Sequence, residues 1–298
     1  MARYKDLDPK YWKEYTDINT DLLKRTIEFC DELIILAEIW NILKDNTLMK
    51  VLFAFNDNSK LFLASYFNRY NAYFTKDEKS NKFLISEDNK LKMVTDSEKI
   101  ASSMLKLFTI LALVDAGYSS SNFKTFLYRE EIKLANKDIT NEEIINDFKE
   151  HINSHWKRDN IKELLKDYQK NDVVYLNEYL FAEKQGVDFT ITGDIDIEHI
   201  MPQSGKNIDL IRSDAGIDNE ALFNDYVNKI GNKILLEYNI NRTIGNEWFR
   251  TKISTNITRK TGYVDSIYPL ANYLVNEYSN KEKAYWTKDD IDLATNEA

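Results

Sequence analysis

Seven of the eight glycines in this 298-residue chain lie at or beyond position 186, leaving Gly117 alone before them, and only three prolines occur anywhere. A stretch so poor in chain breakers has few places to turn, which favours long helices over a turn-rich β fold. The length suits one large or two medium domains and can bury a substantial core. With 43% hydrophobic and 30% charged residues, the composition is that of a soluble globular protein. The change in glycine content near Gly186 predicts an all-helical domain over 1–186 and a second domain over 187–298. The fold class is therefore mostly α, with a small β element in an α+β second part.

Periodicity supports the helical reading. Leu22, Leu23, Ile27, Cys30, Leu33, Ile34, Ala37, Trp40 and Leu43 recur at steps of three and four, predicting an amphipathic helix over 21–44. Similar patterns cover 59–74 and 97–115, the second after Thr95-Asp-Ser-Glu98, a capping-box pattern. The polar residues 75–95 between them read as a loop or small hairpin. Helices are expected near 121–135, 141–156, 160–169 and 172–184, and paired helices of this kind can pack as a bundle.

Beyond Gly186 the pattern predicts a strand at 189–199, an irregular segment to about 218, a short helix at 219–228 and a strand at 233–238. A helix follows from Asn241 to Ile253, with two more near 263–278 and 287–295. This amounts to a β-hairpin backed by a helix.

The hairpin carries the residues with chemistry. Asp196-Ile-Glu198-His199-Ile-Met-Pro202-Gln203 sets a carboxylate beside an imidazole where proline stops an apolar run, and Gly231-Asn232 and Asn241-Arg242 follow downstream. Phosphodiester hydrolysis needs a base for water, a hard cation for phosphate charge and a group that fixes the base. His199, as a neutral imidazole, suits the first role. Glu198 and Asn241 are oxygen donors suited to one hard divalent ion, Mg²⁺ or Mn²⁺. In a regular strand Glu198 and His199 would point to opposite faces, with Asp194, Asp196 and Glu198 on one and Ile195, Ile197 and His199 on the other. For both to serve one site, the strand must bend or end near Glu198, and Pro202 favours an ending there. If Glu198 fails as a ligand, Asp196 is the next carboxylate.

The ordered set resembles the His-metal finger (HNH) nucleases, and among them the C-terminal nuclease domain of GmrSD-type, modification-dependent restriction systems. Glu198, His199, Pro202 and Gln203 match that family's Glu-His-Ile-x-Pro-Gln run. Gly231-Asn232, Asn241, Asn246 and Phe249-Arg-Thr-Lys252 match its later positions. The resemblance implies a small ββα-metal domain with flanking helices after a helical bundle. It implies a metal-dependent DNA endonuclease of restriction and anti-phage defence, leaving 5′-phosphate and 3′-hydroxyl ends. In that scheme His199 is the general base, Asn232 ties the loop and orients the base, and Glu198 and Asn241 hold the metal. Lys252 or Arg250 would offset phosphate charge. The alternative is a DNA-binding or docking module whose nuclease site is degenerate.

Charge distribution bears on partners. The chain carries a net −9, yet residues 229–260 hold Lys229, Lys233, Arg242, Arg250, Lys252, Arg259 and Lys260 against only Glu237 and Glu247. A basic strip on an acidic body suits local phosphate contact, with Lys233, Arg242, Arg250 and Lys252 as the candidate DNA contacts. The resemblance points to DNA, with modified phage DNA as a candidate. It also implies an N-terminal nucleotide-using domain or subunit, whose Asp-Gly-Gln-Gln-Arg signature does not occur in this sequence.

Other features carry less. His151 and His155 are spaced for zinc on one helix face, but no third ligand is evident and the metalloprotease Glu between them is missing. Aromatic residues spaced along helices read as core before they read as base-stacking platforms. Cys30 excludes an internal disulfide, fits a reducing cytoplasm and is expected in the core. No signal-peptide core and no run of about 18 apolar residues for a membrane span is present.

Overall fold

The computed structural model describes residues 9–56, 58–118, 121–135, 139–254, 261–281 and 284–298. The chain is mostly helical, with two small antiparallel hairpins among the described residues. Its first part runs α1 (Pro9–Leu43), α2 (Thr47–Phe55), α3 (Asn58–Phe67), β1 (Phe74–Asp77), β2 (Lys82–Ile85), α4 (Glu87–Leu113), α5 (Ser121–Leu134), α6 (Asn141–His151), α7 (Ile161–Lys166) and α8 (Val174–Gln185). The second runs β3 (Ile195–His199), α9 (Ile208–Asp214), α10 (Glu220–Val227), β4 (Lys233–Glu237), α11 (Tyr238–Ile244), α12 (Phe249–Ile253), α13 (Pro269–Tyr278) and α14 (Lys288–Glu297).

Local chemistry explains most boundaries. Asn46, Thr140, Asn219 and Thr287 each accept a backbone N–H with their side chains and so start α2, α6, α10 and α14. Thr140 with Glu143 and Thr287 with Asp290 add the reciprocal bond of a capping box. Gly186, at φ +64, ends α8 in the left-handed conformation that glycine adopts without a side-chain clash. The segment 75–95 divides into the β1–β2 hairpin and the first turns of α4, which Ser86 caps by accepting the Asn89 N–H. Thr95–Glu98 therefore lies inside α4 rather than at its start. There Asp96 accepts a hydrogen bond from Lys92 instead.

Two more expectations are corrected. The strand expected from 189 begins only at Ile195, just after Gly193 takes φ +61. The helix expected over Asn241–Ile253 is two helices, broken where Gly245 takes φ +53.

Apolar side chains gather in two main clusters, one drawn chiefly from residues 35–173 and the other from residues 200–291. Among the described side chains of α1, those of residues 19–34 belong to neither cluster. Ile35, Ile39 and Leu43 are its buried stripe, whereas Leu22, Leu23, Ile27, Leu33 and Ile34 are exposed. Cys30 shares that outer face and is exposed, not core. The predicted stripe is covered only at its C-terminal end, where Leu43 is buried and Trp40 packs on Phe53 and Phe67; Leu22 to Ile34 of that stripe lie on the exposed face.

Helix α8 joins the two parts. Val174 packs with Leu235 and Tyr268 in a small third cluster. The fully buried Glu178 accepts the Leu270 N–H at 2.7 Å and the Leu235 N–H at 3.5 Å. Glu178 thus covers the edge of β4 that faces away from β3, and burial pushes its pKa up to about 8.

Candidate active site

The β3–β4 hairpin stays in regular register to its end. Ile195 pairs with Glu237, Glu198 with Ile234 and His199 with Lys233. The Ile200 N–H donates to the Asn232 carbonyl at 2.9 Å, so pairing runs one residue past β3. Regular pairing sends Asp196 and Glu198 to one face and His199 to the other.

Asn232 closes the loop behind this end. Its Nδ2 donates to the Met201 and Val227 carbonyls, each at 2.9 Å, and its Oδ1 accepts the Met201 N–H at 2.7 Å. All of its side-chain capacity but one lone pair is used, in a fully buried position. The preceding Gly231 leaves room for α14. A Cβ there would lie 2.4 Å from the Ile291 carbonyl oxygen and 2.6 Å from the Thr295 nitrogen, so only glycine fits without moving backbone.

Glu198 is buried within a network on the helix side of the hairpin. Its Oε1 is 2.5 Å from Lys252 Nζ and accepts the Tyr263 hydroxyl at 3.0 Å. Lys252, on α12, also donates to the carbonyls of His199 at 2.8 Å and Ile200 at 3.2 Å. Burial lowers the Lys252 pKa while the Glu198 charge opposes that shift. Burial, reinforced by Glu198, raises that of Tyr263.

Asn241, on α11, meets a different carboxylate. Its Nδ2 donates to Asp196 Oδ2 at 3.0 Å, and Arg242 Nε lies 3.9 Å from the same oxygen. The structure therefore pairs Asn241 with Asp196 and Glu198 with Lys252, rather than Glu198 with Asn241.

His199 is half-buried at the strand end. Gln203 Nε2 lies 3.0 Å from its Nε2 and donates to Asn228 Oδ1 at 3.0 Å. Burial, then the ammonium groups of Lys233 and Lys252, push the imidazole pKa down to about 4, so the ring is neutral at pH 7.

Two of the four expected DNA contacts are corrected. Lys252 is 0% exposed and Lys233 2%. Lys233 Nζ donates to the Gln169 and Lys170 carbonyls at 2.6 and 3.2 Å, and burial lowers its pKa to about 8. Neither ammonium presents to a surface ligand. Arg242 and Arg250 are exposed. In the same basic strip, Lys229 faces Asp225 and Asp292 at 3.7 and 3.5 Å, and Arg259 and Lys260 lie outside the described residues.

The helical histidine pair belongs to packing. His151 stacks on Phe126 with ring centroids 4.0 Å apart and accepts the Trp156 indole N–H at 3.2 Å. Among the described residues no three His, Cys, Asp or Glu side chains gather as a metal-binding group, and no helix is long and apolar enough to cross a membrane.

Sequence reasoning assigned no part to Tyr263, Asn228 or Glu178. Tyr263 and Glu178 lie 65 and 57 residues from partners in the hairpin, with no local spacing to signal the contact.

A family model described as GmrSD restriction endonucleases, C-terminal domain, matches residues 138–297. No curated protein and no solved structure matches the chain. The match spans more than half of the sequence and contains the whole β3–β4 hairpin, α11 and α12. The chain therefore belongs to the GmrSD restriction endonuclease family, whose C-terminal domain it carries.

Proposed function

We propose that this protein is an HNH-type, metal-dependent DNA endonuclease in which His199 takes a proton from the attacking water. The observation that carries this reading is the His199 imidazole itself. It sits half-buried at the end of a hairpin whose loop is tied by Asn232, with a neutral ring beside Gln203. A neutral imidazole can accept the water proton as the new P–O bond forms, and the 3′ oxygen leaves. The products are 5′-phosphate and 3′-hydroxyl ends.

The donor set would suit a hard cation at one place if the Asn241 amide turned so that its oxygen, rather than its Nδ2, faced the side of Asp196. Asp196 brings a carboxylate against the Asn241 amide, and both offer oxygens of the type Mg²⁺ or Mn²⁺ prefers, with water and phosphate oxygens able to complete the shell. Glu198 is committed to Lys252 and Tyr263, so Asp196 takes its place as the carboxylate in this reading. A bound divalent ion would stabilise charge growing on the phosphate and the leaving oxygen. Arg242 and Arg250 would hold flanking phosphates. Asn232 and Lys252 act as positioning residues, because each binds the backbone next to His199.

One observation favours a second reading, a DNA-binding or docking module without hydrolysis. His199 leaves β3 on the face opposite Asp196, so base and metal donors do not converge in a straight strand. Supercoiled plasmid incubated with Mg²⁺ or Mn²⁺, with and without EDTA, separates the two. The nuclease reading expects metal-dependent nicking that His199→Ala abolishes with the fold intact. DNA binding without hydrolysis in any divalent metal supports the second. Equal cleavage by His199→Ala removes His199 as the base.

A further inference from the structure

The loop that follows His199 has a second side. Ile200, Met201 and Pro202 line a cavity of about 290 Å³ whose other walls include Trp248, Tyr285 and Trp286. Trp248 and Tyr285 are half-buried. Trp286 is only 6% exposed, yet its indole N–H has no hydrogen-bond partner among the described residues. Asp214 adds an acceptor to the lining, and the exposed Arg250 stands in the same wall.

These features select a ligand class. The volume is near the lower end for small-molecule sites, too small for a duplex but adequate for one planar ring system. Aromatic walls favour a flat π system, while the Asp214 carboxylate can accept from a donor on its polar edge. Arg250 suits a phosphate attached to that ring. A base drawn out of a DNA strand satisfies all four requirements.

We propose that this cavity takes up one unpaired nucleobase of the DNA substrate, stacked against Trp248 and Tyr285, with its phosphate near Arg250. The inference rests on the nuclease reading above. The backbone of 200–202 would then couple the two sites, with His199 preceding it and the base pocket along its side.

The test is binding of the full chain, in EDTA, to a fluorescein-labelled single-stranded oligothymidylate and to the same strand made abasic. The base-bearing strand should bind at least about tenfold tighter, the scale of a single stacking contact. Trp248→Ala and Tyr285→Ala should each erase most of that difference while leaving affinity for the abasic strand unchanged. Trp248→Phe, which keeps an aromatic wall, should retain it, and thermal unfolding of each variant identifies loss of fold. Equal affinity for the two strands overturns the pocket, as does a difference that both alanine variants preserve in a folded protein. Metal-dependent plasmid cleavage alongside either result leaves the nuclease reading standing. Absence of both cleavage and binding to either strand removes the nuclease reading together with the pocket.

Discussion

Lys252 donates to the His199 carbonyl at 2.8 Å and lies 2.5 Å from the neighbouring Glu198 carboxylate, so one buried ammonium fixes both backbone and side chain at the end of β3. Removing one member of such a pair strands the other charge in an apolar interior. Lys252→Met should therefore destabilise the protein by about 3–5 kcal/mol. The double variant Lys252→Met/Glu198→Gln should recover a large part of that loss, because no uncompensated charge remains. Urea unfolding of the four proteins in the cycle measures the coupling. A double variant no more stable than Lys252→Met would show that the carbonyl contacts, not the ion pair, dominate.

Glu178 gives stability a pH dependence of known sign. Its folded pKa is raised to about 8 from an ordinary 4.5, burial being the largest cause. Between those values the folded protein keeps a proton that the unfolded chain releases. The contribution is fully present below the ordinary value and is lost as pH rises through about 8. Unfolding free energy measured across this window should fall with pH, and Glu178→Gln should flatten that slope. An unchanged slope in the variant would place the titration elsewhere.

The hairpin was legible in the sequence because its signals are local: alternation in 195–199, Gly231-Asn232 before 233–237, and a proline after the histidine. A strand that bent or ended near Glu198 was expected to bring Glu198 and His199 to one site, whereas the pairing stays regular through His199 and on to Ile200. What local pattern could not reveal was the partner of each polar group. Lys252 reads as a surface cation in a basic strip, and only the fold shows it meeting Glu198 across 54 residues. Amphipathic periodicity located α1 but not which face would be covered, since Leu23 and Ile27 have the same spacing as Ile35 and Ile39. Gly245 was visible, but a lone glycine within a helical pattern does not announce φ +53.

His199 should titrate far below an ordinary imidazole. Its pKa is pushed from 6.5 to about 4 by burial first, then by Lys233 and Lys252. The resonance shifts of its ring in NMR should show a midpoint well under 6.5. Lys233→Met removes one repelling charge and should move the midpoint upward. The stability tied to the neutral ring is present above 6.5 and is lost as pH falls towards 4, because the unfolded chain binds the proton more readily. A midpoint at 6.5 in the folded protein would mean that the imidazole is solvated rather than held at the hairpin end.

Asn232 separates positioning from ligation most cleanly. Its amide gives two hydrogen bonds to the Met201 and Val227 carbonyls and accepts one from the Met201 N–H, all out of contact with water. Asn232→Ala leaves those backbone groups unsatisfied and should cost roughly 2–4 kcal/mol. Asn232→Asp is nearly the same shape, yet an ionised carboxylate has no donor and would face two carbonyl oxygens with like partial charge. It should therefore be more destabilising than alanine near neutral pH, and should improve in acid as the carboxyl gains a proton. Denaturant midpoints at two pH values test this ranking. In a plasmid assay below the unfolding transition, Asn232→Ala should cut more slowly with the dependence on Mg²⁺ concentration unchanged, whereas Asp196→Asn should shift that dependence to higher metal. If Asn232→Ala shifts it instead, Asn232 holds the ion and is not a loop tie.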